Sequence, residues 1–215
     1  MYKLYYSPGA VSLASHVMLV ESGLPYTTER VSTKTRDNFQ DAYKAVNAIS
    51  LLPALQLPSG DVLTETPAVL LHLARASSSA LWPNDADLQE RVLERMSFIT
   101  GLVHPSYALY FRPERWGLSD DAQDAARTAA KARFIRMLQH VEELCLGDFL
   151  VGDRSIADLH LLPMLLWAGH NRIPLDDMPK LRALRRSLLA LPSVQQVLVD
   201  EGLVGDDRDI EPAVA

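Results

Sequence analysis

The residues of this chain best suited to chemistry gather around two short segments, Leu52-Pro53-Ala54-Leu55-Gln56-Leu57 and Thr64-Glu65-Thr66-Pro67. A proline at the entrance of a short apolar strand cannot donate a ladder hydrogen bond, so Pro53 marks the strand's edge. Were the Leu52-Pro53 bond cis, the N–H and C=O of Leu52 would point outward, free to pair with an extended peptide. Cis geometry occurs in only ~5–6% of X–Pro bonds, so the idea needs support from nearby residues. Thr66 and Pro67 open an apolar helix, with Pro67 suited to a first helical turn. A helix N-terminus presents unpaired N–H groups and a positive dipole end, where a carboxylate docks. The Thr66 hydroxyl adds a donor to that carboxylate, and Glu65 supplies the counter-charge for an ammonium beside it. Backbone pairing at Leu52 and the Glu65-Thr66 clamp together describe a receptor for the α-amino acid end of a small peptide.

Two regions with different periodicity must position these groups. Residues 2–6 and 26–31 read as strands, and Ser12 to Gly23 as a helix with Leu13, Val17 and Val20 at helical spacing and Gly23 as its stop. A helix over 41–47, strands at 54–57 and 61–63 around Pro58-Ser59-Gly60-Asp61, and a helix over 66–75 complete a βαβαββα order. That is a small mixed sheet covered by helices, the thioredoxin-like layout. Ala76-Ser77-Ser78-Ser79-Ala80-Leu81-Trp82-Pro83-Asn84 then interrupts the pattern. Everything after Asp87 is helical in period: 87–112, 119–145, 155–170, 178–190 and 192–200. The expected organisation is an α/β domain over 1–76, a linker at 77–86 and an all-α helical domain over 87–215. Gly152-Asp153-Arg154-Ser155-Ile156-Ala157-Asp158 carries a capping box before an apolar run, a folding signal worth ~1 kcal/mol.

At 215 residues, 48% hydrophobic and 22% charged, the chain has the composition of a globular protein with a sizeable core. A net charge of -6 argues against a nucleic-acid partner, which requires clustered cations. There is no apolar run of transmembrane length, and Met1 leads straight into a strand rather than a signal-peptide pattern. The single cysteine, Cys145, fits a reducing cytoplasm and a small buried hydrophobe. The six histidines show no metal-ligand spacing, so no metal is expected.

Lys3-Leu4-Tyr5-Tyr6-Ser7-Pro8-Gly9-Ala10, Leu52-Pro53-Ala54-Leu55, Leu63-Thr64-Glu65-Thr66 and Ser155-Ile156-Ala157-Asp158 follow one another in an order and spacing that resembles a glutathione S-transferase, most like the bacterial beta class. The resemblance spans essentially the whole chain. It implies a thioredoxin-like glutathione-binding domain, a helical domain contributing the electrophile pocket, and a cytoplasmic homodimer for detoxification, with glutathione as co-substrate and an apolar electrophile as second substrate. It implies Leu52 and Pro53 for backbone pairing, Glu65 and Thr66 for the γ-glutamyl group, and Lys34 near the glycyl carboxylate.

A free thiol with pKa ~8.5 needs ~2.7 kcal/mol of differential stabilisation to ionise two units lower. Donors at a helix N-terminus supply such stabilisation. In beta-class relatives the loop before the first helix carries a cysteine followed by a serine. Those positions are Val11 and Ser12 here, so Ser12 becomes the candidate thiolate donor, with Tyr5 and Tyr6 as alternatives and a plain helix cap as its structural role. Val11 leaves no sulfur for disulfide exchange. Relatives also place a histidine at His104, followed here by Pro105, which removes the hydrogen bond to the Gly101 carbonyl and should bend the helix. Arg112, Arg115, Tyr107, Tyr110, Phe111 and Trp116 either line an electrophile pocket or form a packing face. Two other activities stay open: a non-catalytic glutathione- or ligand-binding relative, and a specialised etherase, dehalogenase or isomerase.

Overall fold

A computed structural model describes residues 1–203. Residues 204–215, the end of the expected 87–215 unit, lie outside that range. The first part of the chain builds β1 (Tyr2–Tyr6), α1 (Ser12–Ser22), β2 (Tyr26–Arg30), α2 (Asp41–Lys44), β3 (Ala54–Gln56), β4 (Val62–Thr64) and α3 (Thr66–Ala76). The strands form one sheet in the order β2-β1-β3-β4. β1 runs parallel to β2, Tyr2 opposite Tyr26, and antiparallel to β3, Leu4 opposite Leu55; β3 pairs antiparallel with β4. Leu4 and Leu55 are fully buried against Leu13, Val17, Val69, Leu70 and Leu73 of the covering helices. This is the expected thioredoxin-like layer. Helix α1 stops at Gly23, whose φ of 63° is the left-handed conformation that glycine adopts without a Cβ clash. Helix α2 is shorter than the 41–47 expected from sequence. The Asn47 N–H still bonds the Tyr43 carbonyl, but its side-chain amide donates to the Leu51 carbonyl at 2.9 Å, which the Tyr43 hydroxyl also reaches, tying the helix end to the following loop.

The second part is helical: α4 (Ala86–Phe98), a π turn (Ile99–Val103), α5 (His104–Phe111), α6 (Asp120–Leu144), α7 (Ile156–His170), α8 (Pro179–Leu189) and α9 (Pro192–Asp200). Helix α7 is buried from Ile156 to Ala168, as an all-round apolar helix must be, and packs on α1, α3, α4 and α8. Its start repeats the capping box seen in the sequence, and more strongly. Asp158 accepts from the Ser155 N–H at 2.7 Å, the Ser155 hydroxyl at 2.9 Å and, beyond the box, the Leu150 N–H at 2.9 Å.

The disruption expected at Pro105 takes the form of the π turn. With no N–H at Pro105 to meet the Gly101 carbonyl, the helix widens, and the His104 N–H donates instead to Ile99.

Candidate active site

The loop Ser7-Pro8-Gly9-Ala10-Val11 carries the chain from β1 into α1 and is held from several sides. The Ser7 N–H donates to Ser12 Oγ and the Ser12 hydroxyl returns a bond to the Ser7 carbonyl, both at 3.2 Å. Ser7 Oγ meets Thr33 Oγ1 at 3.2 Å. The Gly9 N–H donates to the Glu201 carboxylate at 2.8 Å, and the Trp167 indole N–H donates to the Gly9 carbonyl at 2.8 Å. Val11, and not Ser12, is the residue this helix end turns toward the cavity.

That cavity, ≈ 390 Å³ in volume, opens between the sheet end and α5. On the sheet side Leu52, Pro53, Glu65, Thr66 and Pro67 line it; on the helical side, Thr100, His104, Ala108, Arg115, Trp116 and His160. The Leu52-Pro53 peptide is cis, as the clamp idea requires, and stands immediately before β3. Glu65 caps α3 with φ 68° and ψ 117°. A non-glycine residue at positive φ is uncommon, and such conformations cost ~1–3 kcal/mol and cluster at ligand clamps. The corner holds the exposed Glu65 carboxylate and the buried Thr66 hydroxyl on one wall, at the N-terminus of α3. Among the described residues Glu65 has no ion-pair partner.

His104 is open to the cavity at one edge and otherwise surrounded by protein, its ring 5.5 Å from that of Trp167. Burial pushes its pKa down to about 4. His160, on α7 two turns before Trp167, is 1% exposed; burial, and then the nearby His104, push it down to about 3. Both imidazoles are therefore neutral at pH 7.

The structure thus brings Leu52, Pro53, Glu65, Thr66 and His104 to one cavity. Ser12 is fully buried with its hydroxyl committed to Ser7, and the exposed Lys34 is not among the lining residues. Tyr5 and Tyr6 are core residues, Tyr6 packed 5.3 Å from the His16 ring. Of the arginine and aromatic cluster, Arg115 and Trp116 line the cavity. Tyr107 is buried and stacks on Trp167 at 4.6 Å, while Arg112 faces Glu114. Sequence reasoning passed over Thr100 and His160. Thr100 stands one turn before His104, and His160 two turns before Trp167, a spacing that puts each pair on one helix face.

Residues 10–76 match the family described as glutathione S-transferase, N-terminal domain. A glutathione S-transferase of Escherichia coli O157:H7 is 32% identical over 206 residues, covering 94% of this chain and 99% of its own. The structure of a bacterial beta class glutathione S-transferase from Sphingomonas chungbukensis is 36% identical, with a TM-score of 0.82 over 94% of this chain and 100% of its own. A glutathione transferase homologue from Sulfitobacter, solved with bound glutathione, superposes with a TM-score of 0.89 at 26% identity over 95% of this chain and 99% of its own. By sequence and by fold alike, the chain belongs to the glutathione S-transferase family.

Proposed function

We propose that this chain binds glutathione in the cavity and joins its sulfur to an electrophile held against α5 and α7. The observation that carries the reading is the Glu65-Thr66 corner, a positive-φ residue presenting a carboxylate without an ion-pair partner among the described residues, beside a buried hydroxyl and a helix N-terminus. The γ-glutamyl ammonium pairs with Glu65, and its carboxylate takes the Thr66 hydroxyl and the α3 N–H groups. Leu52 pairs with the cysteinyl backbone, which sets the sulfur toward Val11 and the start of α1. There the helix dipole and His104 favour the thiolate. Ser12 reaches the sulfur only by giving up its bond to Ser7; in its present position it shapes the loop. Arg115 joins Lys34 as a candidate for the glycyl carboxylate, since it lines the cavity.

Isothermal titration of glutathione into the wild type and Glu65→Ala tests the reading. Loss of ~2–3 kcal/mol in the variant is expected, because hydrogen bonds to charged groups are strong and the ammonium is left unmatched. Absence of any heat from wild type at millimolar glutathione would sink the proposal. Equal binding by the variant would remove Glu65 alone.

Val11 at the sulfur's position favours one other reading, a relative that binds glutathione without turning it over. Retained binding with no conjugation of any electrophile would establish it.

For assembly we propose a two-fold homodimer built from α3 and α4. Leu63, Ala68 and Leu71 line a shallow groove along α3, and Leu88 and Leu93 are exposed on α4. Sedimentation at micromolar concentration should give twice the chain mass of 23.9 kDa, and a monomer would exclude it.

A further inference from the structure

Among the described residues, two side chains lining the cavity carry a charge at pH 7. Glu65 stands on the sheet side and Arg115 on the helical side, the imidazoles of His104 and His160 being neutral. Glu65 serves the γ-glutamyl ammonium in the reading above, while Arg115 has no ion-pair partner among the described residues. The neighbouring Glu114 carboxylate is shared by Arg112 at 3.6 Å and Arg127 at 3.7 Å. Arg36, on the loop between β2 and α2, also lacks an ion-pair partner among those residues, and its guanidinium lies over the Phe39 ring at 5.2 Å. Its φ of 62° is one of the sparse conformations that cluster at ligand clamps. Partial burial, and then the like charges of Arg112 and Arg36, hold the Arg115 pKa below its ordinary value, with Glu114 acting the other way. Like charges gathered at a cavity without a counter-ion cost free energy that a bound anion recovers.

The surface around Arg115 is apolar. Trp116 and Ala108 stand with it on the helical side, and Ile49 and Leu51 enter the cavity from the loop before β3. Ile49, Leu51 and Trp116 are 76%, 45% and 48% exposed, large apolar side chains gathered in one place without cover. A ligand that suits this end has an apolar body and one negative group. The glycyl carboxylate of glutathione has Lys34 as well as Arg115 to pair with, whereas an anion on the second substrate has Arg115 alone among the charged lining residues. Arg115 also stands on the helical wall, where the electrophile is held, across from the sheet side along which Glu65 and Leu52 lay the peptide.

We propose that Arg115, backed by Arg36, binds a carboxylate of the second substrate, whose apolar body lies against Trp116, Ile49 and Leu51; the proposal rests on the glutathione-conjugating reading above. The electrophile is then an amphipathic acid. Its carboxylate takes no part in bond making. The guanidinium fork donates two parallel N–H bonds to it, which adds affinity and fixes the direction from which the reacting carbon is presented. For a benzylic chloride bearing that carboxylate, the glutathione thiolate forms the S–C bond as the C–Cl bond breaks. Chloride leaves with the electron pair, and the thiol proton goes to solvent. A local cluster of arginines also draws the anion to a chain whose net charge of -6 repels it elsewhere.

The first measurement uses the unmutated protein and needs no turnover. In calorimetric titrations into wild type saturated with glutathione, 4-methylbenzoate should bind at least about tenfold more tightly than its uncharged methyl ester. That advantage should shrink as salt is raised, because it is electrostatic. It should fall at least about fivefold in Arg115→Gln and return in part in Arg115→Lys, which keeps the charge without the fork. Kinetics with 4-(chloromethyl)benzoate and its methyl ester should follow the same ratio, Arg115→Gln raising KM for the acid about tenfold more than for the ester. Equal binding of acid and ester by wild type, or an advantage that survives Arg115→Gln, would overturn the site. So would displacement of glutathione by 4-methylbenzoate, or a loss of glutathione affinity in Arg115→Gln as large as the loss for the acid. Arg115 would then hold the glycyl carboxylate. A wild type that binds no glutathione would instead defeat the underlying reading, and the site with it.

Discussion

Acidification should destabilise this protein through His160, by an amount that can be worked from its surroundings. Its imidazole is 1% exposed and titrates near about 3, against an ordinary value of 6.5. Between those values the unfolded chain binds a proton at this position and the folded chain does not, so stability falls as pH falls. From pH 7 to pH 5 the unfolded histidine goes from mostly neutral to almost fully charged, which costs the folded state about 2 kcal/mol. The contribution is intact above about pH 6.5 and lost progressively down to about pH 3, where the folded imidazole also takes its proton. Urea unfolding followed by tryptophan fluorescence, at one fixed protein concentration, measures it. Wild type should lose about 2 kcal/mol more than His160→Gln between the two pH values, because glutamine does not titrate. His104 acts in the same direction, but it is present in both proteins and drops out of the difference. Equal losses would show that His160 is already protonated or hydrated in the folded protein. The neutral character of the cavity wall would then be wrong.

Asp158→Ala should cost about 3 kcal/mol of stability, seen as a lowered melting temperature, since it strands two backbone N–H groups and the Ser155 hydroxyl. A loss near the ~1 kcal/mol of an ordinary cap would mean that water replaces the carboxylate. Incubation with oxidised glutathione should leave the intact mass unchanged, because Cys145 is buried and its thiol pushed up to about 11 by burial. Val11→Cys should gain one glutathione adduct, and failure to do so would mean that the start of α1 does not face the sulfur. Ser12→Ala should melt at a lower temperature while leaving the ultraviolet titration of bound glutathione thiolate close to wild type. A rise in the thiolate's apparent pKa would return Ser12 to the role of direct donor.

The fold was legible because its boundaries are written in local chemistry. Gly23 stops α1, Pro67 starts α3, and Ser155 with Asp158 starts α7; each acts on its own neighbours, and each falls where the periodicity changes. The Glu65-Thr66 corner and cis Leu52-Pro53 were legible for the same reason, since the residues that make the geometry are also those that line the cavity. The orientation of single side chains was not legible. Ser12 is one residue from Val11, yet one faces the cavity and the other bonds back to Ser7, and only the path of the preceding loop decides between them. Thr100 and His160 lie sixty residues apart on apolar helices, without a motif or ligand spacing, and only the packing of α7 against the π turn brings them to the same wall. Pro105 gave the right location for an irregularity, but the sequence does not separate a kink from a π turn, because both relieve the same clash with the Gly101 carbonyl.

The contacts around Gly9 explain how the two walls of the cavity are kept in register. This single residue is held at its N–H by Glu201, just past the end of α9, and at its carbonyl by Trp167 of α7. Glu201 is 4% exposed and places its other oxygen 2.9 Å from His16 Nδ1 on α1. Burial pushes the Glu201 carboxyl above its ordinary range, and His16 and the Gly9 N–H pull it back. Hydrogen bonds to charged groups are worth about 1.5–3 kcal/mol, more than neutral ones, so the stronger of the two ties on Gly9 is the one to the Glu201 carboxylate. Trp167 also packs against His104 and Tyr107, and Asn171, one turn on, donates to the Tyr107 hydroxyl at 2.8 Å. The indole therefore fixes two things together: the loop that ends at Val11, where the proposed reading puts the sulfur, and His104 on the helical wall. A shift of α7 moves both walls at once, and this is why a cavity assembled from distant segments can keep a fixed separation between its walls.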